Sequence, residues 1–331
     1  MKKNIYIFSN GQLKRKQNTL FFENSEGQKK FIPVEDTSEI LLFGEVDINK
    51  KLLDFLSQKQ IILHFFNYYQ YYIGSFYPRE HYNSGYMIIK QVEIYNNTAD
   101  RLFLAKRFVK GAIHNILKVL KYYHDRGVDL EDRTDKITEL WEKAEQSKNI
   151  EELMGYEGNT REVYYNSFDR IIKNPDFRFI ERTKRPPLNY LNSMISFINT
   201  LVYTTVLSMI YQTHLDPRIG FLHTSNSRKF SLNLDIAEVF KPLLVDRLIF
   251  SLINKSEITG NSFDNKVQGI VFKENAVKKV IERFDERLKT TVMHKELNRE
   301  VTYKRLILME CYKIEKHLMG EKDYEPFFMW W

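Results

Sequence analysis

The sequence predicts an α+β protein: a β-rich N-terminal domain over residues 1–77, a linker over 78–85 and a larger all-α domain over 86–331. Two observations predict it. Up to Tyr77, short apolar runs alternate with turn signals such as Ser9-Asn10-Gly11 and Asn24-Ser25-Glu26-Gly27. Beyond the polar stretch Pro78 to Gly85, apolar residues recur at helical spacing to the end of the chain. The length of 331 residues suits about two domains, and 43% hydrophobic residues suffice for a large core.

Taken in order, Asn4 to Phe8 predicts a first strand, followed by short strands at Leu13 to Lys16, Thr19 to Glu23, Lys29 to Val34 and Glu39 to Phe43. Asn49 to Gln58 reads as a helix with Leu52, Leu53 and Leu56 on one side. Ile61 to Phe66 is an apolar strand interrupted by His64, and the tyrosine-dense Tyr68 to Tyr77 reads as a pair of strands. Met87 to Arg126 predicts one long helical run, with a break, if any, at Asn96-Asn97. Thr134 to Gln146 is a charged helix and Ile150 starts the next. Gly260 to Gly269 reads as a polar loop, and Lys273 to Val292 and Glu300 to Met319 as basic amphipathic helices.

Pro186 to Thr213 carries no charge and is long enough to cross a bilayer, but Asn192, Ser193, Asn199, Thr204 and Ser208 lie within it. That polarity predicts a helix buried in protein, not a membrane span. No signal-peptide pattern stands at the N-terminus, and the single cysteine, Cys311, forms no internal disulfide; both predict the cytoplasm. The net charge of +7 favours a polyanionic partner. A non-catalytic basic helical scaffold that binds nucleic acid has the same balance and is the alternative reading.

Candidate chemistry centres on Asp216 to Ile258. His223 lies between the turn signals Gly220 and Ser225 to Lys229, and Asp235 and Glu238 are three apart at the start of a helical segment. A loop histidine beside two carboxylates on one helical face suits Mg2+ or Mn2+ better than a closed zinc site. The same acidic spacing also fits a solvated face or a helix N-terminal charge. Upstream, Glu157 stands between Gly155 and Gly158; glycines weaken a helix, so close approach of a ligand or a helix break accounts for them. Arg182, Lys184 and Arg185 precede Pro186-Pro187, a trio suited to phosphates or to a solvated loop.

These segments, in this order, resemble one family: the CRISPR-associated endonuclease-integrase, CRISPR-associated protein one, the larger subunit of the spacer-acquisition complex. Gly155-Tyr156-Glu157-Gly158 resembles its first metal-ligand motif, and Arg182 to Pro187 with Asn192-Ser193 its basic-diproline lead into a core helix. Leu215-Asp216-Pro217 to His223 resembles its histidine motif, and Ser231 to Arg247 its acidic helix. Two departures are visible: Thr224 to Arg228 lacks the glycine common after the histidine, and Asn189-Tyr190 stands where Asp-Pro is frequent. The resemblance implies Glu157, His223 and Glu238 as metal ligands and catalytic residues, with Asp235 as a supporting neighbour one turn before the last. It implies a Mg2+- or Mn2+-dependent DNA endonuclease and integrase that inserts short DNA fragments into a CRISPR repeat array. Implied partners are double-stranded DNA, a second copy of the chain through the β-domain, and CRISPR-associated protein two.

Overall fold

The computed structural model describes residues 2–78, 82, 84–184, 186–224, 230–266, 269–294 and 296–331. The chain divides into two units, Met1–His81 and Tyr82–Trp331. A strand-rich region is followed by a helical one, the α+β order that the turn and helix patterns predict.

The first unit holds β1 (Lys3–Ile7), β2 (Gly11–Lys16), β3 (Thr19–Asn24), β4 (Lys29–Ile32), β5 (Thr37–Leu42), β6 (Val46–Asp47), α1 (Lys50–Lys59), β7 (Ile62–Phe66) and β8 (Tyr72–Phe76). One sheet has the order β4-β3-β2-β6, the other β1-β5-β7-β8. β5 pairs in parallel with both β1 and β7, so the unit is not a simple meander. A parallel strand is covered on both faces, which is why β5 buries Ile40, Leu41 and Leu42 in a row instead of alternating. Leu13, Leu20, Ile40, Leu52, Leu56 and Leu63 meet in the core of this unit. Asn49 caps α1 by accepting from Leu52 N at 3.0 Å. Tyr68 to Tyr77 forms one strand, not the expected pair. Asn67 Oδ1 accepts from both Tyr69 N and Tyr71 N at 3.0 Å, which bends the first half into the turn between β7 and β8.

The second unit holds α2 (Gly85–Asn96), α3 (Thr98–His124), α4 (Glu131–Glu145), α5 (Ile150–Tyr165), the short α6 (Phe168–Ile171), a 3-10 turn (Pro175–Phe177) and α7 (Tyr190–Ile210). After α8 (Leu232–Lys241) come a π turn (Pro242–Asp246), α9 (Arg247–Asn254), a 3-10 turn (Gly260–Ser262), β9 (Phe263–Lys266), β10 (Gly269–Phe272), α10 (Glu274–Lys289), β11 (Thr291–His294), β12 (Arg299–Thr302) and α11 (Tyr303–Leu318). The long run expected from Met87 does break at Asn97, whose side chain caps α3 by accepting from Ala99 N and Asp100 N. α7 is the one described helix long and apolar enough to cross a membrane, and it is mostly buried within the protein. Its hydroxyls are satisfied locally: Thr204 and Thr205 donate to the carbonyls of Thr200 and Leu201 at 2.8 Å.

Two hairpins interrupt the helical pattern. The segment read as a polar loop pairs β9 with β10, because Phe263 stacks on Phe272 at 4.6 Å and on Tyr190 of α7 at 4.8 Å. α10 stops at Lys289, and Thr291–His294 pairs with β12. The chain ends in an extended strap that packs Tyr324 on Phe108 at 5.0 Å and seats Pro326 against Gly111, where a Cβ would come within 2.7 Å of the proline ring.

The α8–α9 junction is where helix physics positions the site. Pro242 has no N–H, so the carbonyl of Glu238 lacks its usual intrahelical donor. Arg247 N–H reaches back five residues to Pro242 O. Carbonyls of this stretch take side-chain donors from other elements: Arg161 on Glu238 O at 3.5 Å, Asn115 on Val239 O at 2.8 Å and Arg287 on Leu243 O at 2.6 Å. The disturbed helix is thereby tied to α5, α3 and α10.

Candidate active site

Glu157 sits in the middle of α5, so the flanking glycines do not break the helix. A Cβ added to Gly155 or Gly158 would meet nothing within 4 Å, so the backbone beside Glu157 is bare. Four residues on, Arg161 donates to Glu157 Oε1 at 3.2 Å and also to the Glu238 carboxylate of α8. Lys241, one turn beyond Glu238, holds the other carboxylate oxygen. The two predicted acids, from segments about eighty residues apart, are therefore joined through a single guanidinium. Around it lie the buried side chains of Tyr164 and Asp246.

Electrostatics follow from the packing. Burial alone would raise the Glu238 carboxyl, but Lys241, Arg161 and His223 outweigh it and hold the group well below the usual carboxylate range. Asp246 goes the other way: burial pushes it up to about 7 against the pull of Arg161 and Lys241.

His223 is placed by Asp235. That carboxylate is fully buried on α8 and accepts from Phe221 N at 2.6 Å, Leu222 N at 3.0 Å and His223 N at 2.9 Å. It also takes His223 Nδ1 at 2.8 Å, which fixes the ring and leaves Nε2 without a partner among the described residues. Burial would lower the imidazole, but the hydrogen bond and charge of Asp235 raise it above its ordinary value. Gly220 makes this loop possible. Its N–H donates to Ser231 Oγ at 2.8 Å, and a Cβ there would come within 2.7 Å of the Ser231 carbonyl carbon and 2.9 Å of Asp235 Oδ2. Gly220→Ala is expected to destabilise the chain by about 1–3 kcal/mol, the usual range for overpacking, and to disturb His223 with it. Urea unfolding checks this; an unchanged midpoint would show that the loop yields without cost.

The basic trio separates. Arg182 is turned inward, donating to Asn192 Oδ1 and Ser196 Oγ at 3.0 Å, and so braces α7. Lys184 is exposed, with no ion pair among the described residues; partial desolvation by its surroundings lowers its pKa, as do Arg182 and Lys241 beside it. Arg185 and most of the polar turn after His223 lie outside the described residues. Arg161 and Lys241 join the predicted residues here, and their spacings of four from Glu157 and three from Glu238 are visible in the sequence.

Glu157, His223 and Glu238 would offer two carboxylates and one imidazole, donor chemistry that suits a hard divalent cation. Among the described residues no three His, Cys, Asp or Glu side chains stand as a ready metal cluster. Arg161 and Lys241 supply the counter-charge to the carboxylates instead.

Comparison with known proteins supplies the family. Residues 5–286 match the family described as CRISPR associated protein Cas1. The chain is 57% identical over 331 residues, all of both chains, to a Thermodesulfovibrio yellowstonii protein named CRISPR-associated endonuclease Cas1 2. Its fold is similar to that of a CAS1 protein from Thermotoga maritima, with a TM-score of 0.89 and 47% identity, covering 97% of this chain and 99% of that one. A casposase bound to its integration product shares the fold at a TM-score of 0.88 and 19% identity, covering 99% of this chain and 93% of that one.

Proposed function

The chain belongs to the Cas1 family, and from that premise we propose that it is a divalent-metal-dependent DNA endonuclease and integrase that inserts short DNA fragments into a CRISPR repeat array. One observation carries the reading: Glu157 and Glu238 are gathered on Arg161, and His223 is aimed by a buried Asp235 one turn before Glu238. Held by Glu157, His223 and Glu238, Mg2+ or Mn2+ would supply charge neutralisation at the transferring phosphate and activation of the attacking hydroxyl.

The chain's own groups do the rest. Asp235 locks His223 Nδ1, so the free Nε2 serves as ligand or proton carrier. Lys184 brings an unpaired positive charge to the neighbourhood of Glu157 and Glu238, suited to a phosphate oxygen. The bare backbone at Gly155 and Gly158 lets a DNA strand approach α5 closely. The attacking group is water in hydrolysis and a DNA 3′-hydroxyl in integration. Nicking of duplex DNA in Mn2+ by the full chain tests the reading; a protein that only binds DNA leaves it intact.

Lys184→Ala is expected to weaken DNA binding severalfold and to lower the slope of log K against log salt by about one, the loss of one phosphate contact. Fluorescence anisotropy over a salt series measures this, and an unchanged slope would return Lys184 to a solvated loop.

The partners follow from the resemblance: a homodimer through the strand-rich unit and association with CRISPR-associated protein two. Edge strand β8 exposes Ile73 at 58% and the preceding turn exposes Tyr68 at 68%, an apolar edge that suits a second copy. Ile73→Lys is expected to shift the chain towards monomer in light scattering. A full dimer in that variant would place the interface elsewhere.

A further inference from the structure

Beyond the π turn, three arginines gather without a counter-charge. Arg247 lies with its Cζ 4.6 Å from the Tyr122 ring centroid. Arg126, at the end of α3, lies 3.6 Å from the same ring and donates to Tyr122 O at 3.0 Å. Arg287 of α10 donates through Nε to Leu243 O at 2.6 Å. Burial, with Arg247 alongside, pushes the Arg287 guanidinium down to about 10, and the rings of Tyr303, Tyr123 and Tyr122 line the same place.

None of the three forms an ion pair with a carboxylate among the described residues. Of the acids next to them in sequence, Asp125 pairs with Lys121, Asp285 with Lys289 and Glu286 with Arg283, while Asp246 is buried towards Arg161. The fold gathers these charges through the π turn. An inserted helical residue turns everything after it by about 100°, and the Leu243 carbonyl of that turn anchors Arg287. Arg247 and Arg287 are partly buried and Arg126 is exposed; like charges held together in this way call for an anion. Planar guanidinium forks match phosphate oxygens two at a time, and stacking on Tyr122 orders two of the forks beforehand.

We propose that Arg126, Arg247 and Arg287 form a phosphate-binding site that is separate from Glu157, His223 and Glu238. Its ligand is a phosphate group, supplied by the DNA backbone or as free inorganic phosphate; the first source rests on the DNA-acting reading. At the backbone source it holds the duplex at a second point and reads no base.

The test uses the full chain carrying Arg126→Gln and Arg247→Gln together; Arg126 leans on Tyr122 near the end of its own helix and Arg247 joins α9 to α3 through that ring, whereas Arg287 braces the π turn. A melting temperature near that of the unchanged chain verifies the fold, and either single variant serves if the pair unfolds. Anisotropy with a fluorescent duplex over a salt series is expected to show about tenfold weaker binding at low salt. The slope of log K against log salt should fall by about one to two. In a second arm, inorganic phosphate raises the melting temperature of the unchanged chain but not of the variant, measured against chloride at equal ionic strength. A changed slope supports the site with the backbone as source; a lost phosphate shift alone supports it with free phosphate as source. Unchanged slope and unchanged phosphate shift overturn it. If the unchanged chain neither binds nor nicks duplex DNA in Mn2+, the DNA-acting reading fails instead, and the phosphate arm still decides the site.

Discussion

Glu238→Gln and Glu157→Gln are each expected to lower metal-dependent cutting and strand transfer by roughly 100-fold or more, a loss of about 2.7 kcal/mol or more in transition-state stabilisation. Glutamine keeps the size and removes the charge that would hold a divalent cation. The two carboxylates meet on one guanidinium from different helices, so a cation between them depends on both. Removing both is expected to cost little more than removing one, since groups acting as a unit are not additive. His223→Ala belongs to the same set. Asp235→Asn should be milder: it retains an oxygen for the N–H groups of Phe221 to His223 but loses the charge that raises the imidazole. DNA binding should persist in all four variants. Assays in Mn2+ and Mg2+, run beside a binding assay, check this, and a Glu238→Gln protein with near-normal cutting would falsify the shared-metal assignment.

Arg161→Met is expected to destabilise the chain by about 3–5 kcal/mol, because removing one partner strands buried charge. Glu157 loses its ion pair to Arg161, Glu238 keeps only Lys241, and the Glu238 carbonyl freed by Pro242 loses its donor. The pH dependence has a definite sign. Glu238 is held below its ordinary value by Lys241 and Arg161 despite burial. Its pairing therefore contributes fully above the unfolded carboxylate value and is lost as pH falls through the folded one. The gap between the unchanged chain and the variant should narrow in acid. Excess Mn2+ should recover part of the loss at neutral pH, since a ligand that binds only the folded state adds about 2.7 kcal/mol at a hundred times its dissociation constant. Urea titrations with and without Mn2+ measure both effects; a difference within about 1 kcal/mol would mean that Arg161 does not bridge the carboxylates.

Much of this site is legible along the chain because its parts are local. Gly220, His223, Asp235 and Glu238 fall within nineteen consecutive residues, and turn and helix signals place them one after another. The link from Glu157 to Glu238 is not local, and periodicity says nothing about which helices touch; the ordered family motifs supplied it. Arg161 and Lys241 stand at ordinary helix-surface spacings, where such cations are usually solvated, so only burial between α5 and α8 distinguishes them. The same limit applies in the strand-rich unit. Ile61 to Phe66 reads as a strand from its own residues, but its parallel pairing with β5 depends on which segment lies beside it. Asn67 is a turn signal set amid tyrosines, and the first strand of the β9–β10 hairpin is polar in sequence except for Phe263, which docks it. Pro242 to Asn254 reads as a continuing helix despite the proline, and the structure passes through Pro242 as a π turn because side chains from three other elements satisfy the carbonyls of that stretch.

The most direct measurement is strand transfer of a labelled DNA fragment by the full chain into a plasmid that carries a CRISPR repeat array, with CRISPR-associated protein two present. Label should enter the plasmid at the array in Mg2+ or Mn2+, vanish with chelator, and vanish in the Glu157→Gln and Glu238→Gln chains that still bind DNA. Label that enters equally with chelator, or with either glutamine variant, would contradict the account.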